Sequence, residues 1–473
     1  MDKNQATFLW IDYETFGVSP SLDKPCQFAA IRTDMDFNAV GDPINIMCRP
    51  SPDYLPQPGA CLVTGITPQD AVKKGLSEPE FFSQIYVELT QPNTCVVGYN
   101  NIRFDDEVTR YGFYRNFYDP YGWSYKNGNS RWDILDLLRT CYALRPEGVT
   151  WPLDEQGVPT FRLEKLSVAN NIEHAHSHDA LADVYATIEM AKKIKETHPK
   201  LFDYYFNLRL KNKVNQLIDI AQQKPLVHIS GMIGNVTANT TWILPMAWHP
   251  VNKNAVIVVN LAQDPSPLFD LDVAELQKRL YTKHTDLNED ELPVPVKLIH
   301  INKCPSLAPA KTLLPEDAVR IGIDRNACLQ HLQKIKQHPE IREKLVAMFE
   351  NEAPFNISSQ VDAQLYQGFF STGDKNAMEI IRETKPKDLP ALDLVFQDPR
   401  LEPLLFQYRA RNYPTTLDEQ ERQRWQLHCQ NYFAQNLPTW ISDLNSLMIT
   451  HQEDDQKLKI LKSIYTYVEN LTI

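Results

Sequence analysis

The residues of this chain with the clearest capacity for chemistry are acids. Asp12 and Glu14 stand two apart in ATFLWIDYETFG, whose apolar stretch reads as a buried strand. On a strand that spacing puts both carboxylates on one face. Two such groups at the end of a buried strand are costly unless something positive binds there, although a lone D-x-E says little by itself. Asp105 follows GYNNIRF and opens the helical run DDEVTRY. The ordinary role of an acid there is to cap the helix or complement its dipole, and Asp106 offers the same chemistry one residue later. In HSHDALADVYATIEMA, His178 precedes Asp183 by five residues, which on a regular helix turns the two well away from each other. The workable arrangement puts His178 in the loop, Asp179 at the cap and Asp183 in the first turns. His174 and His176 lie close by, and HAHSH could itself bind metal, but a hard ion such as Mg²⁺ prefers oxygen ligands.

The elements that must position these groups follow from local pattern. To about Pro199 the chain interleaves strands (ATFLWIDYET, CQFAAIRTDMDF with DPINIMC as a hairpin, TCVVG) and helices (SEPEFFSQIYVELTQ, DDEVTRYGFYRNF, SRWDILDLLRTCYAL, RLEKLSVANN, DALADVYATIEMAKKIKE). This implies an α/β domain around a mixed sheet. From 200 to 353, KPLVHIS, TTWILPMAW, NAVIVVNLA and VPVKLIHINK are short β-rich runs broken by Pro, Asn and Asp, as in a small barrel or sheet, before the helical DRNACLQHLQKIKQHPEIREKLVAMFENE. From 354 to 473 the pattern is amphipathic helix. The division expected is therefore 1–199, 200–353 and 354–473.

Composition narrows the class. Of 473 residues, 43% are hydrophobic and 23% charged, which suits a globular protein of two or three domains. No run is apolar and long enough to span a membrane, and no signal peptide is read, so a cytoplasmic protein is expected. The eight cysteines are scattered without a C-x-x-C pair, which supports neither a zinc ribbon nor a disulfide framework. A net charge of −12 is unusual for a partner of nucleic acid, yet a cleft can be basic on an acidic body.

Taken together, Asp12, Glu14, Asp105 and Asp183 with His178 resemble the DEDD exonucleases of the histidine-bearing subclass. The flanking D-Y-E-T-F-G, L-V-T-G-I-T and H-D-A-L-A-D agree, and YLPQPGA, ITPQDA, GYNNIRFDDEVTR, NFYDPYGW, CYALRPEG and KPLVHISGM resemble the bacterial exonuclease I family along essentially the whole chain. The resemblance implies an RNase-H-like exonuclease domain, a Src-homology-3-like barrel and a C-terminal helical domain. It implies 3′→5′ degradation of single-stranded DNA to 5′-mononucleotides, with a role in repair and recombination. It assigns the four acids to two Mg²⁺ ions, for which Mn²⁺ can substitute, and His178 suits a general base because imidazole titrates near neutrality. An RNA-trimming enzyme of the same class, or a scaffold that only binds nucleic acid, are the alternatives.

Between Asp105 and Arg162 the chain interleaves arginines and aromatics, a mixture that can meet phosphates and stack on bases. Trp132 and Phe113 are the expected core members of that set. The resemblance favours Arg110, Tyr121, Tyr125, Arg139 and Arg162 as DNA contacts, and gives the 3′-terminal nucleotide to Glu14, Thr15, Phe16 and Ile66. It also implies docking of the acidic, apolar-ended tail of single-strand DNA-binding protein, for which Arg145, Lys224 and Lys336 are the candidates, with Arg320 and Lys311 behind them. Leu314 stands where relatives carry arginine. A monomer is expected.

Overall fold

The run that carries Asp12 and Glu14 forms strand β1, Thr7–Thr15. Phe8, Leu9, Trp10 and Ile11 are all buried, so the strand is covered on both faces, as a central strand requires. Leu9, Ile11 and Tyr13 enter one core with Phe28, Phe81 and Phe82. On the opposite face Phe8, Trp10 and Phe37 pack as a trio with ring centroids 5.3, 5.7 and 5.6 Å apart. The identification of this architecture rests on a computed structural model that describes residues 5–174, 179–350 and 358–472.

Strand β2 (Pro25–Thr33) runs antiparallel to β1 and pairs in turn with β3 (Ile44–Met47). Helices α1 (Pro58–Thr64), α2 (Pro68–Lys74) and α3 (Glu78–Leu89) lead to β4 (Thr94–Gly98), which is parallel to β1. Then come α4 (Asp105–Arg115), β5 (Ser130–Asp133), α5 (Ile134–Leu144), α6 (Leu163–Ala169) and α7 (Ala180–Thr197), and the sheet order is β3-β2-β1-β4-β5. This is the mixed α/β sheet expected. One element differs: SRWD reads as the start of the following helix but forms β5. Asp133 is the reason, because its side chain accepts the Leu135 N–H at 2.9 Å and caps α5, so the helix begins only at Ile134.

The β-rich middle of the chain forms a second sheet from β6 (Leu226–Ile229), β7 (Thr240–Trp248), β8 (Ala255–Asn260), β9 (Val296–His300) and β10 (Ser306–Pro309). Every pair is antiparallel, in the order β10-β6-β7-β8-β9. Val227, Leu244 and Ile257 from these strands share a core with Leu332, Ile335, Leu345 and Phe349 from the helices Arg325–Lys336 and Ile341–Glu350. The remainder is helical, with Thr372–Glu383, Leu401–Asn412, Glu419–Thr450 and Asp455–Thr472.

By packing, the chain divides into two units, one of Met1–Arg131, His174–Ile188 and Asn356–Ile473 and the other of Trp132–Glu173 and Glu189–Phe355. The first unit therefore combines β1–β4 with the C-terminal helices. What ties them is a buried chain of charges, Lys24 to Asp362 at 2.7 Å, Asp362 to Arg411 at 3.0 Å and Arg411 to Asp53 at 2.8 Å, with the half-exposed His428 imidazole 3.1 Å from Asp53. Burial by itself raises the pKa of both aspartates, but Arg411 together with Lys24 and the hydrogen bonds each receives outweighs it and holds each below the usual carboxylate range.

Arg411→Ala leaves two buried carboxylates facing each other and should destabilise the first unit by about 3–5 kcal/mol, read from urea unfolding. The depressed aspartates fix the sign with pH. Their contribution is complete above the unfolded value of about 3.9 and is lost as pH falls through the lower folded values. The gap between parent and variant should therefore be largest near neutrality and shrink as pH falls, first as the buried, unpaired carboxylates of the variant take up protons and then, below about pH 4, as the parent loses its own contribution. A gap that does not depend on pH would show that the charges are not what the variant removes.

Candidate active site

Asp12 and Glu14 emerge on one face of β1, as the spacing requires, and Asp183 comes to them from the first turn of α7. One carboxylate oxygen from each lies within 4.8 Å of the others. Asp179 accepts the N–H groups of Leu181 and Ala182 at 3.1 and 3.2 Å, which caps α7 and starts the helix where Asp183 faces the strand. Asp105 arrives differently. Strand β4 pairs with β1 only from Thr7 to Trp10, so farther along β1 the backbone needs another partner on that side. The Asp105 carboxylate supplies it by accepting the Tyr13 N–H at 2.9 Å. Gly98 makes room for the intervening turn, since a Cβ there would stand 2.9 Å from the Ile11 carbonyl oxygen and 2.7 Å from the Asn101 Cβ. Asp106 is not the spare cap that the sequence suggested: it is fully buried, ion-paired with Arg131 and hydrogen-bonded by Asn101.

These acids oppose one another. Burial, then Asp105, Glu14 and Asp183, push Asp12 well above the usual carboxylate range. Burial, then Asp183 and Asp105, raise Glu14 to about 8. A cation between the carboxylates relieves that repulsion, and an all-oxygen donor set suits a hard divalent ion. The donors present therefore fit a divalent metal, with Asp12, Glu14 and Asp183 closest together and Asp105 beside them. His178 and His176 lie outside the described residues. His174 is within them, and its Nε2 meets the Asp183 carboxylate at 2.5 Å. Nine residues separate that pair, and no helical or strand spacing signals the contact.

A cavity of about 760 Å³ opens on Glu14 and Thr15. One wall is Val63 and Thr64 of α1, and the other is Asp443, Ser446 and Leu447 from the C-terminal helix Glu419–Thr450. No sequence pattern links residues so far apart. The Thr15 hydroxyl donates to the Gly17 carbonyl at 2.6 Å. The Phe16 ring is completely buried with Tyr54, Cys61 and Trp440, so only its backbone is left to meet a ligand. Ile66 is half-buried and lines a neighbouring cavity with Gln27, Asn45 and Asp179.

Among the other candidates, Arg110, Tyr121 and Tyr125 belong to the first unit and Arg139 and Arg162 to the second. Arg110 is 8% exposed, pairs with Glu107 at 2.7 Å and lies 5.7 Å from the Tyr121 ring centre, while Tyr125 is 62% exposed. Arg139 pairs with Asp136 at 2.8 Å, and Arg162 is exposed. Trp132 and Phe113 are buried, as expected. In the second unit Lys224 pairs with Asp219 at 2.9 Å, Lys336 is exposed, and Arg145 donates to the Leu144 carbonyl. Arg320 bonds the carbonyls of Tyr142 and Ala143 at 2.7 and 3.1 Å, and Lys311 is exposed.

Three family models match: "Exonuclease" over residues 9–191, "Exonuclease I SH3-like domain" over 209–351 and "Exonuclease I C-terminal domain" over 359–471. Exodeoxyribonuclease I of Escherichia coli (strain K12) is 56% identical over 470 residues, 99% of this chain and 99% of that protein. The crystal structure of E. coli Exonuclease I in complex with a dA16 oligonucleotide superimposes with a TM-score of 0.97 at 56% identity, covering 99% of this chain and 100% of the other. The zinc ion bound form of the E. coli ExoI–ssDNA complex gives a TM-score of 0.96 at 56% identity, again over 99% and 100%. A crystal structure of SSB/Exonuclease I in complex with the inhibitor CFAM gives 0.93 at 54% identity, over 99% and 100%.

The raised carboxylates predict an inverted pH response. Unfolded, Glu14 titrates near 4.3, whereas folded and metal-free it titrates at about 8. The folded state then binds the proton more tightly, so stability falls as pH rises through that window. In EDTA, Glu14→Gln should be more stable than the parent, with a gain on the order of a few kcal/mol at pH 8 that vanishes near pH 4. Thermal melts at both pH values measure this, and a divalent ion should raise the parent's Tm more than the variant's.

Proposed function

The chain belongs to the exonuclease I family, and from that premise we infer that it hydrolyses single-stranded DNA from the 3′ end, releasing 5′-mononucleotides. The observation that carries the reading is the gathering of Asp12, Glu14 and Asp183 within 4.8 Å, with Glu14 lining the adjoining cavity and Asp105 bonded to the same strand end. The enzyme depends on divalent metal, and Mg²⁺ is the ion proposed because every donor is a carboxylate oxygen. Bound there, such ions supply Lewis acidity toward the phosphoryl oxygens and counter the charge that develops on them.

The protein's own residues take the remaining tasks. Asp12, Glu14, Asp105 and Asp183 are proposed as the metal ligands. His178 is proposed as the general base that accepts a proton from the attacking water, a role suited to a group titrating near neutrality. Thr15 and Ile66, with Glu14, are proposed to seat the terminal nucleotide. Arg110, Tyr121, Tyr125, Arg139 and Arg162 are proposed to hold the strand behind it; the exposed ring of Tyr125 is available to a base, and Arg162 to a phosphate. The protein acts as a cytoplasmic monomer in repair and recombination, and the three linear divisions 1–199, 200–353 and 354–473 are retained as its domains.

Single-strand DNA-binding protein is the second partner. Its acidic tail needs cations beside an apolar surface, and we place it on Arg145, Lys224 and Lys336. Leu314, 37% exposed where relatives carry arginine, makes that surface less basic here.

Asp183→Ala should lower turnover of single-stranded DNA by about a thousandfold or more at saturating Mg²⁺, and His178→Ala by roughly a hundred- to ten-thousandfold with DNA affinity little changed. Nucleotide release from end-labelled DNA and RNA oligomers, assayed side by side, measures both effects; near-normal turnover by Asp183→Ala would falsify the ligand assignment. For the tail, Lys224→Ala should weaken peptide binding roughly fivefold at low salt and less at high salt, as expected for one exposed charge. Equal binding by parent and variant removes Lys224 from the site.

A further inference from the structure

Asp183 rides on the first turn of α7, where the N–H groups that open the helix have no carbonyl partner within it. The Asp179 side chain accepts those of Leu181 and Ala182, and the Asp179 carbonyl accepts the Asp183 N–H at 3.0 Å as the first regular bond. The Ala180 N–H turns to the sheet instead. It donates to the Gln27 Oε1 of β2 at 3.4 Å. The amide nitrogen of the same side chain donates to the Asp179 Oδ2 at 3.3 Å and to the Asn45 Oδ1 of β3 at 2.9 Å. One side chain thus holds both the cap of α7 and its first residue to the sheet.

Gln27 also stands among the acids. In the pairing of β1 with β2 it lies directly across from Glu14, and Ala29 lies across from Asp12. Cross-strand partners share a face, so the amide is on the side of the sheet that carries both carboxylates. Gln27 is 6% exposed, while Ala29 is fully buried and too short to reach α7. The charge of Asp179 adds to the repulsion felt by Asp12 and Glu14. A side-chain amide offers an acceptor for Ala180 and donors for Asp179 and Asn45 while bringing no further charge into that cluster.

We propose that Gln27 is a positioning residue for the reaction, setting where Asp183 stands relative to Asp12 and Glu14 by fixing the start of α7 to β2. The proposal rests on the reading of these acids as ligands of a divalent ion. Two of them are on β1 and the third is on α7, so the grip on a cation depends on how closely those two elements are held. Strands β1 and β2 are joined by a ladder from Phe8 to Thr15, and Gln27 extends that rigid pair to the helix. Groups that orient metal ligands without touching the ion typically change metal affinity or activity by roughly ten- to a hundredfold when they are removed.

The test uses the full-length chain with Gln27→Met, which keeps the length of the side chain and removes its hydrogen bonds. Gln84→Ala, which trims an exposed amide on the wall of the cavity that Gln27 also lines, is the control and should match the parent throughout. In EDTA, hydrogen exchange at Ala180, Leu181 and Ala182 should quicken in Gln27→Met. Mn²⁺ titrated into the DNA-free variant should bind roughly tenfold more weakly. At saturating Mg²⁺, kcat on single-stranded DNA should fall roughly tenfold, with KM changed by less than about twofold. Gln27→Ala should behave as Gln27→Met does, because the bonds and not the volume are at issue. Methionine would replace a side chain that only fills space, so parental Mn²⁺ affinity and kcat in Gln27→Met overturn the proposal. Loss of activity with Mn²⁺ affinity and exchange at residues 180–182 unchanged overturns it too. A parent that binds no Mn²⁺ overturns instead the metal reading beneath it.

Discussion

Asp12, Glu14 and Asp183 lie within 4.8 Å of one another at the end of a strand covered on both faces, and that crowding of like charge has to be supported by everything around it. Left to relax, the carboxylates would separate. They cannot, because β1 is wedged between two aromatic layers, α7 is capped by Asp179, and Asp105 is bonded to the Tyr13 backbone. The stress appears as raised proton affinity in Asp12 and Glu14, and the same stress creates affinity for a divalent cation. Rigidity of the fold and avidity for metal are two aspects of one arrangement.

The C-terminal helices share in that support. They contribute Asp443, Ser446 and Leu447 to the wall of the cavity beside Glu14, and Trp440 to the core that holds Phe16. The buried charges from Lys24 to His428 fasten the start of β2 and the loop containing Asp53 to the same helices. Because such a network is worth little unless complete, it makes the position of the β1–β2 turn depend on residues more than 300 places away in sequence. In this chain the strand that carries Asp12 and Glu14 and the C-terminal helices are accordingly one packed unit.

Net charge also reads differently once the site is located. A chain at −12 repels DNA at long range, yet some of its acids are the proposed metal ligands, whose charge a bound cation neutralises, and others, such as Asp53 and Asp362, are buried against Arg411. Grip on a single strand then falls to short-range contacts. An exposed ring such as Tyr125, proposed above as a base contact, acts at contact distance and is insensitive to the overall charge.

The sequence by itself determined the chemistry and most of the elements. D-x-E on a strand, an acid opening a helix and H-D-x-x-x-D before another are short-range patterns, and local spacing is enough to say which face each side chain takes. The alternation of strands and helices gave the α/β class, and the β-rich middle gave the second sheet. Short-range pattern failed where a long-range partner decided the outcome. Ser130–Asp133 is a strand because it lies beside β4 in the sheet, and Asp106 is no cap because Arg131 claims it. Phe16 follows Asp12 and Glu14 in sequence, but its ring is drawn into a core that includes the far end of the chain. Only tertiary structure could pair His174 with Asp183, bring Leu447 to Glu14 or set Phe369 against Tyr121. Those contacts are fixed by how separate elements pack, and packing leaves no periodic trace in the residues it joins.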